Sequence, residues 1–161
     1  MNRADELTMV RRVFVTALLL SVVHYIDNTV RFDDYTGGRK GFITQAMIPI
    51  SWVLFTAAGV AGYRYLKQGN RGLGGSLLGV FSVSGLIGVF HYTTVSPGDF
   101  DWFQNTFIAL DFLAGAAVFA LAVRIVTTRA VSPPPTTSGR SPAGSVSRSP
   151  AAPSPTPGRS S

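Results

Sequence analysis

The chain has no cysteine, only two histidines, and few charges. Without cysteine there is no disulfide, no thiolate metal site and no cysteine nucleophile, and the redox compartment cannot be read from thiol usage. Charged residues make up 14% and hydrophobic residues 46%, against about 25% charged in soluble domains. The charge deficit is concentrated, because five of the fourteen Lys and Arg lie in or beside the segment after Val123. The net charge of +6 does not imply nucleic acid as a partner. The basic residues flank apolar runs instead of gathering in a patch, which is the pattern of membrane topology.

What is present is a set of long apolar runs. The patterning predicts an all-α protein, a four-helix transmembrane bundle over residues 13–128 with spans near 13–30, 42–66, 73–95 and 102–126. Residues 1–12 read as a polar cytoplasmic segment. The first run also invites reading as a signal peptide, since Arg11-Arg12 precede it. No small-x-small cleavage site follows, and three more runs do, so a retained helix is expected. Phe32 to Gly41 reads as a loop, and Pro49 as an internal kink of the second span. Residues 129–161 are rich in Pro, Ser, Thr, Ala and Gly, which predicts a disordered cytoplasmic tail whose removal leaves the bundle intact.

Orientation follows from Lys and Arg. Eleven of the fourteen fall on the side holding the termini and the 67–72 turn, and only Arg31, Arg39 and Lys40 on the other. The positive-inside rule then places both termini in the cytoplasm of a multi-pass plasma-membrane protein.

Each histidine belongs to a His-Tyr pair ending an apolar run, His24-Tyr25 and His91-Tyr92, and an aromatic-acidic stretch follows each. His24 to His91 is a shift of 67 residues, and Gln45 to Gln104 one of 59. This reads either as two tandem helical hairpins related by an axis along the membrane normal, or as chance recurrence. Ser21, His24 and Asn28 share one helical stripe with Asp27 beside it, and Gln104, Asp111 and Gly115 share another. The histidines lie roughly 6–9 Å and Asp111 roughly 12 Å below the outer boundary. His24, Asp27, Asn28, His91 and Asp111 therefore form a candidate polar cluster, because each is costly to expose to lipid. Asp111 is expected to pair with a histidine, so that Asp111→Leu destabilises. Asp27 has a plainer reading, an ion pair with Arg31 four residues on. Trp52, Trp102, Tyr25, Tyr35 and Tyr92 read as interfacial anchors or packing. Gly75, Gly79, Ser84 and Gly88 read as small-residue helix contacts.

No catalytic spacing stands out. There is no HExxH pattern and no serine elbow. The residues fit a non-enzymatic accessory or sensing component that responds to protons or cations. One alternative is a redox protein using His24 and His91 with haem or a divalent metal. Another is a pure scaffold. Expected partners are the bilayer and a second copy or another membrane protein.

Overall fold

The computed structural model describes residues 2–39 and 43–130, with the side chains of 129 and 130 left aside. The 129–161 tail thus lies almost wholly outside the described residues, as do Lys40 and the expected start of the second span at Phe42. Every element among the described residues is helical. The order is α1 (Arg3–Val30), α2 (Phe32–Thr36), α3 (Met47–Lys67), α4 (Arg71–Leu86), a 3-10 segment (Ile87–Thr93), a 3-10 turn (Pro97–Asp99) and α5 (Trp102–Ala130). Three helices are long and apolar enough to cross a membrane: α1, α4 with its 3-10 extension, and α5. α3 has 21 residues, but Pro49, Ser51, Trp52, Tyr63 and Arg64 dilute its apolar character.

Several boundaries differ from those read in the sequence. α1 begins ten residues before the apolar run, because the Asn2 side chain caps it by accepting from the Asp5 amide at 2.8 Å. Asp5 and Glu6 then sit favourably in the first turn. The 32–41 loop contains the short α2, which ends in left-handed Gly37 at φ 60°. α3 starts at Met47 rather than 42, so Pro49 falls in the first turn, where its missing N–H has no helical partner to lose, and it is no internal kink. α4 gives way to 3-10 geometry at Ile87, so the second His-Tyr pair sits in a tighter helix than the first.

α4 is the hub. It packs most extensively on α5 and next on α3, while α1 packs on α5 and more thinly on α3. The α4–α5 contact is backbone on backbone. A Cβ placed on Gly115 would lie 2.9 Å from the Ser82 carbonyl and 3.2 Å from Gly85 Cα, and one on Gly85 would collide with the Asp111 carbonyl. Gly62 and Gly74 make the equivalent approach between α3 and α4, where a Cβ on either meets the other's carbonyl at 2.9 Å. Of the small residues singled out in the sequence, Gly75 packs tightly on Val126, at 2.7 Å from a built Cβ. Gly79 does not, since its nearest neighbour would be Ala122 at 3.9 Å. The apolar core runs from Val10, Phe14 and Ala17 to Leu78, Phe81 and Val118. At the basic end, Arg71 grips Glu6 with two hydrogen bonds of 2.7 Å. That pairing holds the Glu6 carboxyl below the usual carboxylate range.

Candidate functional site

The opposite end carries the polar chemistry. The α1 stripe faces inward: Ser21, His24 and Asn28 are all buried. Across from it, the 3-10 segment presents His91. The two imidazoles meet edge to face, with ring centroids 5.7 Å apart. Asn28 Nδ2 lies 3.2 Å from His91 Nε2. An amide nitrogen only donates, so His91 accepts there and carries its proton on Nδ1.

Tyr35 closes the cluster. It is 1% exposed, and its ring lies 4.7 Å from His91, 5.7 Å from His24 and 5.3 Å from Phe100. Its hydroxyl donates to Asp27 Oδ2 at 2.7 Å. Burial, reinforced by that carboxylate, makes the phenol a weaker acid than a free tyrosine. Asp27 also faces Arg31 Nε at 3.5 Å, and Arg31 reaches on to Asp101. Hydrogen bonds from the backbone at Gln104, then the Arg31 guanidinium, hold the Asp101 carboxyl below its ordinary range. Asp101 and Gln104 form a capping box that starts α5. The Gln104 amide donates to Asp101 Oδ1 at 2.8 Å, and the Asp101 amide to Gln104 Oε1 at 3.1 Å.

The structure thus brings His24, Asp27, Asn28 and His91 together and leaves Asp111 out of the bonded group. Asp111 is 2% exposed, yet its Oδ2 has no hydrogen-bond partner among the described residues, and neither has His24 Nδ1. The expected His–Asp111 bond is absent among the described residues, because α5 meets α4 through the Asp111 backbone against Gly85. This reverses the expectation for Asp111→Leu. Removing a buried, unpartnered carboxyl while keeping a similar volume is expected to raise stability, by about 1–3 kcal/mol. Thermal unfolding of the detergent-solubilised variant measures it, and a lower midpoint would show that Asp111 has a partner worth keeping.

Sequence reasoning missed Tyr35 as the centre and Asp101 as the start of α5. Asp101-Trp102-Phe103-Gln104 has the spacing of a capping box and was legible. Nothing in the sequence distinguished Tyr35 from an interfacial anchor. Trp52 is tied inward, donating to Ser21 Oγ at 3.1 Å, whereas Trp102 is 78% exposed and suits an anchor.

A cavity of about 580 Å³ opens over the cluster, between α1, α2, the start of α3 and the 3-10 segment. His24, Asn28, Ser51, Ser84 and His91 line it along with apolar side chains. No group of three or more His, Asp or Glu among the described residues is placed to hold a metal ion. Iron ligation by His91 through Nε2 would require it to release Asn28. The buried serines spend their hydroxyls on helix carbonyls three residues back: Ser21 on Leu18, Ser82 on Gly79 and Ser84 on Phe81. None donates to a histidine.

The fold and site define a helical protein with three helices long and apolar enough to cross a membrane and a cavity beside the two histidines at one end. No family model, curated protein or solved structure matches the chain.

Proposed function

We propose that this is a small multi-pass plasma-membrane protein, a four-span bundle with both termini cytoplasmic, acting as a non-enzymatic accessory or sensing component. Three membrane-length helices support the placement. The close Gly62–Gly74 approach supports α3 as the fourth span, because a helix packed that tightly on α4 shares its surroundings. The Lys and Arg asymmetry supports the orientation. α2 and the Pro97–Asp99 turn then lie outside and Gln68–Asn70 inside, with the two halves arranged as tandem hairpins.

One observation carries the sensing reading. A buried pair of imidazoles lies beside an open cavity, and among the described residues no metal-ligand set and no serine poised for attack accompanies it. Such a site can report on what enters the cavity by rearranging a few hydrogen bonds. The bond at risk is Asn28 to His91, and Tyr35 connects the pair to the Asp27–Arg31–Asp101 chain on the surface. Absorption spectroscopy and metal analysis of the purified full-length protein test this reading. No Soret band and no stoichiometric metal are expected; either one would replace sensing by redox chemistry.

Topology has its own check. The natural chain has no cysteine, so single-cysteine variants need no prior substitutions. An impermeant thiol reagent on intact cells is expected to label Asp34→Cys and to spare Gln68→Cys. The reverse pattern would invert the bundle.

A further inference from the structure

The end of the bundle opposite the histidines gathers cations without matching acids. Arg3 Nη2 donates to the Lys67 carbonyl at 3.0 Å. The same nitrogen lies 3.3 Å from where a Cβ on Gly69 would stand. Arg64 is on α3, one turn before Lys67. Arg3, Arg64 and Lys67 are thus grouped around the C-terminal end of α3, and all three are exposed.

No carboxylate among the described residues balances them. The ion pairs there are Asp27–Arg31, Arg31–Asp101 and Glu6–Arg71. Glu6 is spent on Arg71 through two hydrogen bonds of 2.7 Å. Asp5, the other acid in the first turn of α1, enters none of these pairs. The dipole of α3 contributes only about half a negative charge at its C-terminus. Three positive side chains therefore face less than one negative charge, and the deficit suits an anion.

The same helix offers that anion an apolar neighbour. α3 turns Gly59, Gly62 and Leu66 into the bundle. Its other side carries a groove running from Trp52 past Ala57 and Ala61 to Arg64, Tyr65 and Gln68. The two alanines make it a hollow between bulkier side chains. Val53 and Leu54, beside its far end, are 57% and 67% exposed. Trp52 to Arg64 is twelve residues, about 18 Å along the axis. That is close to one leaflet of a hydrocarbon core about 30 Å thick. A groove apolar along one leaflet and cationic at its end has the layout of a phospholipid. A second copy suits it poorly. Two chains inserted the same way and related by an axis along the membrane normal would set Arg64 against Arg64.

We propose that this surface binds one anionic phospholipid. Its phosphate lies among Arg3, Arg64 and Lys67, and one acyl chain follows the hollow over Ala61 and Ala57 toward Trp52. The inference is separate from the histidine site and rests on α3 being the fourth span.

The test is native mass spectrometry of the delipidated full-length protein in detergent, equilibrated with dioleoylphosphatidylglycerol or dioleoylphosphatidylcholine. One phosphatidylglycerol per chain is expected, held at least about tenfold more tightly than phosphatidylcholine. Arg64→Gln and Lys67→Gln are each expected to weaken it about fivefold. Ala57→Trp, at an exposed position, fills the hollow and is expected to weaken it without moving the unfolding midpoint. Arg39→Gln, at the other end of the bundle, is expected to change nothing. Equal retention of the two lipids would mean annular lipid only and would overturn the proposal. So would unchanged phosphatidylglycerol affinity in both Arg64→Gln and Lys67→Gln. Displacement by soluble glycerol phosphate would make this a free-phosphate site, and a dimer lost in Ala57→Trp would give the groove to a second copy; either overturns it. Each of these results leaves the four-span reading standing. Asp34→Cys and Gln68→Cys labelled alike on intact cells would instead deny α3 its crossing and remove the groove with it.

Discussion

Gly115→Leu is expected to abolish the folded bundle. In lipid there is little hydrophobic drive between helices, so close packing holds them. Gly115 is where that packing is least forgiving. A Cβ there would lie 2.9 Å from the Ser82 carbonyl, 3.1 Å from the Leu86 amide and 3.2 Å from Gly85 Cα. All three are backbone atoms of α4, and none can swing aside as a side chain can. The two axes would have to separate, which would also strip Gly85 from the Asp111 carbonyl and open the floor under Ser84. Overpacking commonly costs about 1–3 kcal/mol, and a rigid neighbour puts this substitution at or above the upper end. Size-exclusion profiles and thermal midpoints in detergent measure the loss. Gly79→Ala is the control. Its new methyl would meet only Ala122 at 3.9 Å, so its effect should stay within about 0.5 kcal/mol. A Gly115→Leu protein with the parent's midpoint would show that α4 and α5 do not cross there.

Tyr35→Ala is expected to cause the next largest loss, about 3–5 kcal/mol, the usual cost of truncating a buried aromatic. Tyr35 touches both halves of the outer end: His24 and Asp27 on α1, His91 on the 3-10 segment, and Phe100 before α5. Removing the ring leaves a void between the imidazoles and Phe100, and leaves Asp27 with Arg31 alone. Tyr35→Phe separates the two effects. It keeps the packing and deletes the bond to Asp27, so it should cost about 1–2 kcal/mol. Both are read as midpoint shifts of the solubilised protein. Equal midpoints for Tyr35→Ala and the parent would mean that α2 does not dock on the bundle.

The sequence reading succeeded where periodicity and cost pointed the same way. The apolar runs located three membrane-length helices, because few alternatives accommodate so many consecutive apolar residues. The expense of solitary ionisable groups in lipid suggested that His24, His91 and Asp111 would meet, and the structure sets the two imidazole rings 5.7 Å apart. The same logic failed for Asp111. It assumed that a buried acid must find a histidine, but the close glycine contact brings the Asp111 backbone, not its carboxylate, to α4. Depth alone fixes a slab of the bilayer; the rotation of α5 within it depends on Gly85 and Gly115, whose pairing needs both helices to be seen at once. Element ends were misjudged for a local reason. Polar residues continue α1 below Val13 through Asn2 capping, which hydropathy does not register. The two His-Tyr pairs have different backbones, and Gln45 and Gln104 different partners. Gln45 donates to the Thr29 carbonyl at 2.7 Å, whereas Gln104 caps α5. Whatever their origin, the two halves do different jobs at this end.

An acid kept buried without a partner, and an imidazole nitrogen likewise, lower stability in a protein that could have replaced both. The cost of the buried imidazole supports the proposed sensing site over a bare scaffold. The meeting of the two histidines is the geometric centre of that site, and the composition makes it directly measurable. With only two histidines in the chain, labelling histidine alone with ¹³C and ¹⁵N leaves two spin systems in a magic-angle-spinning spectrum of the protein in bilayers. The expected result is a through-space cross-peak between the two imidazoles, with one ring, that of His91, protonated on Nδ1 only; two labelled rings with no cross-peak between them would contradict a shared site.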